Sequence, residues 1–236
     1  MVSGVSVGSI NAAIIAQHAD DFNLGVETLE ALWSDIQCQD IFNTSNYELG
    51  KSVIRNLSNL FIRRPHSGHL LDTEPLYHFI QKHIDFERIN DNIEQGLLET
   101  MEVLSNCYET QQTISFYQHH KTFKDWHYPR HISKRIDMDN AHILASSALP
   151  LFFPTVKIDG FHYGDGSIGL VTPLRGAVRF EINKILILGT SQLPVFMETE
   201  TLKNSDSDIG FAHILGNMLN GLFLDNLDRD IEIINR

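Results

Sequence analysis

The chain has 236 residues, 42% of them hydrophobic and 20% charged, with a formal net charge of −12. That length and apolar content suit a globular domain with a sizeable core and exclude a disordered chain. The acidic balance argues against nucleic acid as a partner and against simple electrostatic attraction to anionic lipid. The two cysteines, Cys38 and Cys107, lack CxxC or metal-type spacing and read as free buried thiols in a reducing compartment. No basic n-region marks a signal peptide, and no apolar run approaches the roughly 18 residues of a membrane span.

The chain opens on Met1-Val2-Ser3-Gly4-Val5-Ser6-Val7-Gly8-Ser9-Ile10-Asn11-Ala12, in which residues 4–8 fit G-x-S-x-G. The apolar, Ala-rich stretch Ile10 to Ala16 follows as a helix start. A sharp strand-to-helix turn would carry Ser6 at its tip, above unpaired N–H groups at the helix N-terminus. Crowding of the backbone would explain both glycines. The plainer reading makes Ser6 an N-cap at a Gly-rich helix entry. Only Met1-Val2-Ser3 precede Gly4, so the strand before the turn is nearly absent.

A second helix is expected from Val26 to Ile36, started at Gly25, with Leu29, Leu32, Trp33 and Ile36 on its buried face. Leu49 to Ile62 is helical in pattern. Arg63-Arg64-Pro65-His66-Ser67-Gly68 breaks it as a solvated loop, with phosphate contact through the arginines as the sharper alternative. Asp72-Thr73-Glu74-Pro75 starts a helix whose buried face is Leu76, Phe79, Ile80 and Ile84. Phe86 to Ile93 is a short helix ending near Gly96. Met101 to Tyr108 reads as a buried strand and Thr113 to Tyr117 as its hairpin partner, joined by a turn at 109–112.

The polar, aromatic stretch from His119 to Arg135 is expected to be a surface loop or flap; metal binding by its histidines is the alternative. Asp139 caps a short helix running to Ser147. Ala148 to Pro154 is apolar and twice punctuated by Pro, and Leu149 to Pro154 is fit either to line an acyl pocket or to pack beneath a site. Asp159-Gly160 joins 155–158 and 161–163 in a tight hairpin. Asp165 stands between Gly164 and Gly166 at the strand end, with a turn residue as its plain reading. A helix from Pro173 to Phe180 follows, then Lys184-Ile185-Leu186-Ile187-Leu188-Gly189 as a strand covered on both faces. Phe211 to Ile234 is helical. Helices alternating with buried strands predict an α/β layered domain.

Three separated segments resemble patatin-like phospholipases of bacterial type, in the family's order. They are Gly4 to Ala12, Ala145-Ser146-Ser147-Ala148-Leu149-Pro150-Leu151-Phe152-Phe153-Pro154, and Tyr163-Gly164-Asp165-Gly166-Ser167 with Thr172-Pro173-Leu174. Leu71 to Leu76 and Phe223 to Asp228 add to the likeness. The resemblance implies one patatin-like domain over 1–236, with a mainly parallel central sheet flanked by helices. It implies Ser6 as nucleophile and Asp165 as its activating acid, a dyad without histidine. The activity implied is hydrolysis of fatty-acyl esters of phospholipids or lysophospholipids through an acyl-enzyme, with no metal or organic cofactor. A cytoplasmic location with transient peripheral contact to membrane is also implied.

Two departures stand out. Ser167 replaces the family's Gly or Ala, and its small size predicts little harm. The family's first strand and glycine-rich oxyanion loop, upstream of the nucleophile, have no counterpart before Met1, and Val7 N–H is left as one oxyanion donor. With the C-terminal helix still in progress at Arg236, the chain is read as an internal piece of a longer protein or a gene product with a mis-set start, weakly active or inactive as written. A catalytically impaired scaffold binding lipid or a protein is the alternative function. A Ser-Asp-His hydrolase using His142 or His213 is a further alternative.

Overall fold

A computed structural model describes residues 1–43, 71–150, 152–168 and 174–189. Met1–Leu170 forms one compact unit and Val171–Arg236 a second. The expected helices at 49–62 and 211–234, and the arginine loop at 63–68, lie outside the described residues.

In the first unit, β1 (Val2–Val5) turns directly into α1 (Val7–Gln17). Ile10, Ala12, Ala13, Ile14 and Ala16 bury α1 on nearly every side, as befits a helix without a polar face. Its last carbonyls have no partner within the helix, and a side chain from a later helix takes them. Asn92 Nδ2 donates to the carbonyls of Ala16 at 2.9 Å and Gln17 at 3.1 Å. Asn92 belongs to α5 (Phe86–Glu94), which Asp85 caps by accepting from Arg88 N–H and which ends before Gly96 at φ +74°.

The second helix, α2 (Phe22–Asp35), starts four residues before the expected Val26, because Asp21 caps it by accepting from Leu24 N–H. Gly25 therefore lies inside the helix rather than at its start. A Cβ there would sit 3.1 Å from His18 Cβ, so the glycine lets α2 approach the end of α1. Of the expected buried face, Leu32 is buried and Leu29 and Ile36 pack at the core margin. Trp33 instead lies at the surface, with Nε1 donating to Asn11 Oδ1 at 2.8 Å. An indole carries its own donor, and this partner on α1 meets it outside the core. A short α3 (Cys38–Ile41) follows, leaving Cys38 exposed where a buried thiol was expected; Cys107 is buried.

The next helix, α4 (Glu74–His83), has Thr73 at its N-cap and Pro75 in its first turn, and Leu76, Phe79, Ile80 and Ile84 are all buried as their spacing predicts. The strands β2 (Thr100–Cys107) and β3 (Gln112–His119) form the expected hairpin, and every residue of β2 is buried. β4 (His127–Tyr128) and β5 (His131–Arg135) extend the sheet beyond β3. This corrects the loop or flap expected over 119–135. Trp126 and His131 are buried, and His131 Nε2 lies 2.6 Å from Ser115 Oγ. The fully buried residues of β5 are His131 and Ser133, both polar, while Ile132 on the other face is only partly buried against an apolar cluster, so a search for apolar periodicity misses the strand.

Asp139 caps α6 (Asn140–Ser146) by accepting from the N–H groups of Ala141 and His142. The hairpin β6 (Val156–Ile158) and β7 (Phe161–Asp165) turns at Asp159 (φ +49°) and Gly160 (φ +87°), the paired positive angles that Asp-Gly favours.

Together the seven strands make one mixed sheet in the order β4-β5-β3-β2-β7-β6, with β1 also on β2. β1 runs parallel to β2 and β5 parallel to β3; the remaining pairs are antiparallel. The class is α/β, and the main core lies between one sheet face (Met101, Val103) and Ile10, Ile14, Phe79, Ile80, Ile89, Ile93 and Ile143 of the helices.

In the second unit, α7 (Arg175–Arg179) falls within the helix expected over 173–180. Lys184–Gly189 has no strand partner among the described residues, and Leu186 and Leu188 are 83% and 86% exposed. The expectation of a strand covered on both faces is thus not met there. An apolar run shows what a segment suits, and only a neighbouring strand makes it part of a sheet.

Candidate active site

Strand register along β2 builds the site. β1 pairs with the first half of β2 and ends at Val5, opposite Leu104. β7 pairs with the second half and ends at Asp165, opposite Ser105. One strand is parallel to β2 and the other antiparallel, so their C-terminal ends meet on the same edge. The residue after Val5 is Ser6, and Ser6 Oγ donates to Asp165 Oδ2 at 2.5 Å across 159 residues of chain.

Ser6 sits at the N-cap of α1 but makes no capping bond with its side chain, so the N-cap reading does not hold. Its backbone lies at φ +54°, ψ −133°, a region that a residue with a Cβ rarely enters. The tight turn explains Gly4, where a Cβ would stand 2.2 Å from the Gly8 carbonyl oxygen. It does not explain Gly8, where a Cβ would meet nothing within 4 Å. Crowding at the turn is against the backbone of residue 8, so only Gly4 is sterically required.

The strain at Ser6 gives a measurable expectation. Both Ser6→Ala and Ser6→Gly lose the bond to Asp165, but only glycine accepts the positive φ freely. Ser6→Gly is expected to be more stable than Ser6→Ala by about 1 kcal/mol, read by denaturant unfolding.

Asp165 is fully buried, which is more than the turn residue of the plain reading. Burial raises its carboxyl above the usual range, and hydrogen bonds from Ser6 and from the backbone and side chain of Ser167 oppose that rise. Oδ1 accepts the Ser167 N–H at 2.8 Å, leaving Oδ2 for Ser6. Gly166 is required by a close approach: a Cβ there would lie 2.1 Å from the Leu104 carbonyl oxygen and 2.9 Å from Val5 Cγ2. Gly164 lies under the Tyr108 ring, whose hydroxyl would be 2.5 Å from an added Cβ.

Several residues at the site carry roles that motif reading did not assign. Ser9 Oγ and Ser147 Oγ both donate to the Ser6 carbonyl, at 2.6 and 3.1 Å, and Ser6 N–H donates to Ser146 Oγ at 3.0 Å. Glu102 is fully buried, with its carboxyl raised by burial, and Oε2 accepts from Ser3 Oγ at 2.7 Å. Glu102 alternates with Val103 and so lies on the sheet face away from the helical core, where it ties β1 to β2. The available signal was a carboxylic acid within a strand read as buried.

His142 makes its bonds away from the Ser6–Asp165 pair. It packs on Phe116 and bonds to Asp139, while Asp165 receives Ser6 and Ser167. His213 lies outside the described residues. Phe153 packs against the main core, and Leu149 and Pro150 are half-buried, which favours packing for the described part of 148–154. Among the described residues no group of three or more His, Cys, Asp or Glu is placed to hold a metal ion, and no helix is long and apolar enough to cross a membrane.

A strand-to-helix turn with a strained serine against a buried carboxylate, set on an α/β sheet, is a layout in which a carboxylate can activate a hydroxyl. A family model for patatin-like phospholipases matches residues 1–178, and the chain belongs to that family. Membership makes it a lipid acyl hydrolase. No curated protein matches the chain.

Proposed function

We propose that the protein cleaves fatty-acyl esters of phospholipids or lysophospholipids with Ser6 as nucleophile and Asp165 as general base. The hydrogen bond between Ser6 Oγ and Asp165 Oδ2 is the observation that carries the reading. A serine hydroxyl is a weak nucleophile until a neighbouring base accepts its proton. A buried carboxylate with a raised pKa is better matched to that task than an exposed one.

In the proposed reaction Ser6 Oγ attacks the ester carbonyl carbon as its proton passes to Asp165 Oδ2. The negative charge forms on the carbonyl oxygen, where the Val7 N–H at the start of α1 is the candidate donor. The intermediate collapses, the C–O bond to the alcohol or lysolipid breaks, and protonated Asp165 supplies the leaving oxygen with its proton. Water then attacks the acyl-enzyme with Asp165 again accepting a proton. The fatty acid departs and the proton returns to Ser6 Oγ.

A substrate of this kind brings the protein into transient contact with a bilayer or micelle. The family match covers residues 1–178 of the single domain proposed over 1–236.

A fluorophosphonate probe tests the proposal. Labelling is expected at Ser6, located by peptide mass, and absent in Ser6→Ala. Fatty-acid release from mixed micelles of diacyl and lysophospholipid should show the same dependence. No labelling and no release, also from a chain extended upstream of Met1, would leave a scaffold binding lipid or a protein as the function.

A further inference from the structure

The segment Ser146–Ala148, at the C-terminal end of α6, touches both partners of the dyad. On the nucleophile side, Ser6 N–H donates to Ser146 Oγ at 3.0 Å, and that hydroxyl donates onward to the Leu104 carbonyl at 2.6 Å. Ser147 Oγ donates to the Ser6 carbonyl at 3.1 Å. On the acid side, the segment offers its own carbonyls. Asp165 N–H donates to Ala148 O at 2.9 Å and Gly166 N–H to Ser146 O at 3.3 Å. Leu104 faces Val5, and its neighbour Ser105 faces Asp165. The Ser146 hydroxyl is therefore anchored where β1 ends and β7 arrives.

A residue at a strained positive φ turns its peptide groups out of both the helix and the sheet ladders. Buried peptide groups of that kind need partners from elsewhere. Ser146 is itself fully buried, so its hydroxyl has no solvent alternative.

We infer that Ser146 is a positioning residue for the proposed hydrolysis, holding the Ser6 peptide so that Oγ points at Asp165. The inference rests on the dyad reading above. The two serines of the segment are unequal. The Ser6 carbonyl receives three donors, Ser9 N–H at 2.9 Å, Ser9 Oγ at 2.6 Å and Ser147 Oγ at 3.1 Å. Loss of Ser147 leaves two of them. The Ser6 N–H, in contrast, is held by Ser146 Oγ. Loss of that hydroxyl frees the Ser6 peptide to rotate and takes one donor from Leu104.

The test compares Ser146→Ala, Ser146→Cys and Ser147→Ala in the full chain. The readouts are kcat and KM on a short-chain nitrophenyl ester, the rate of fluorophosphonate labelling at Ser6, and thermal unfolding. Ser146→Ala should lower kcat and the labelling rate by roughly ten- to a hundredfold, the cost of a misplaced reacting group, with KM little changed. Ser147→Ala should cost much less. Ser146→Cys keeps a hydrogen-bonding group at the same position, somewhat larger and a weaker donor and acceptor, and should fall between; it carries the comparison if the alanine variant does not fold. Wild-type rates in the folded Ser146 variants, or a rise in KM at unchanged kcat, would overturn the inference.

Should the unmodified chain fail to label, the dyad reading fails by itself. The positional claim is then decided by a crystal structure of Ser146→Ala. The separation of Ser6 Oγ and Asp165 Oδ2 opens beyond about 3.5 Å if Ser146 holds the turn, and stays at hydrogen-bond length if it does not.

Discussion

Asp165→Asn is expected to lower kcat by about 10²–10⁴-fold while leaving the protein at least as stable as before. The two effects have one origin. In the proposed mechanism Ser6 transfers its proton only to an ionised carboxylate, and an amide at position 165 cannot accept it. Burial makes that ionised form costly in the folded state, and it raises the pKa of Asp165 above its unfolded value. For a group shifted in this direction, the stabilising contribution is fully present below the unfolded pKa. It is lost as pH rises through the folded pKa. Activity runs the other way, appearing as pH rises through the same folded pKa.

The wild-type enzyme therefore gives up stability over the range in which it gains its base. Asn does not ionise, and its amide oxygen still accepts the Ser167 N–H while its NH₂ donates to Ser6 Oγ. Calorimetry across the acid limb should show the variant gaining on the wild type as pH rises. The kcat profile of the wild type should climb over the same interval. A variant that loses stability at neutral pH, or a wild-type rate flat through the acid limb, would contradict the assignment of the base.

The second large effect lies at the glycines. Gly166→Ala would place a methyl group 2.1 Å from the Leu104 carbonyl oxygen, and Gly4→Ala would place one 2.2 Å from the Gly8 carbonyl oxygen. Both neighbours are backbone atoms, held by strand pairing in one case and by the strand-to-helix turn in the other, so no rotamer change can relieve them. Overpacking of well-ordered positions costs about 1–3 kcal/mol, and displacement of either turn also separates Ser6 from Asp165. Each substitution is expected to lower the unfolding midpoint and abolish fluorophosphonate labelling. Gly8→Ala is the internal contrast. Nothing lies within 4 Å of its added Cβ, and the position is helical, so stability should hold or rise by up to about 1 kcal/mol. Equal loss in all three variants would refute the steric account.

How far the chain could be read without its tertiary structure differs by kind of feature. Asp139 at the start of α6, Asp159-Gly160 in the β6–β7 turn and the buried face of α4 were legible, because each depends on residues within a few positions of one another. Trp33 and β5 were misjudged for the opposite reason. Asn11 settles the place of the indole, and Ser115 that of His131; neither partner is nearby in sequence. Ser146 and Ser147 stood in a recognised motif, yet their work became visible only when Ser6 and Leu104 were found beside them.

By itself the sequence determined the proposed reacting groups and their local settings: a hydroxyl between glycines at a helix entry, and a carboxyl between glycines at a strand end. Tertiary structure alone decided that they meet. β1 and β7 share one edge of β2, and their registers at Leu104 and Ser105 bring Val5 and Asp165 end to end. Local chemistry is set by covalent neighbours. Register is set by the pairing and packing of strands far apart in the chain, which no short stretch encodes.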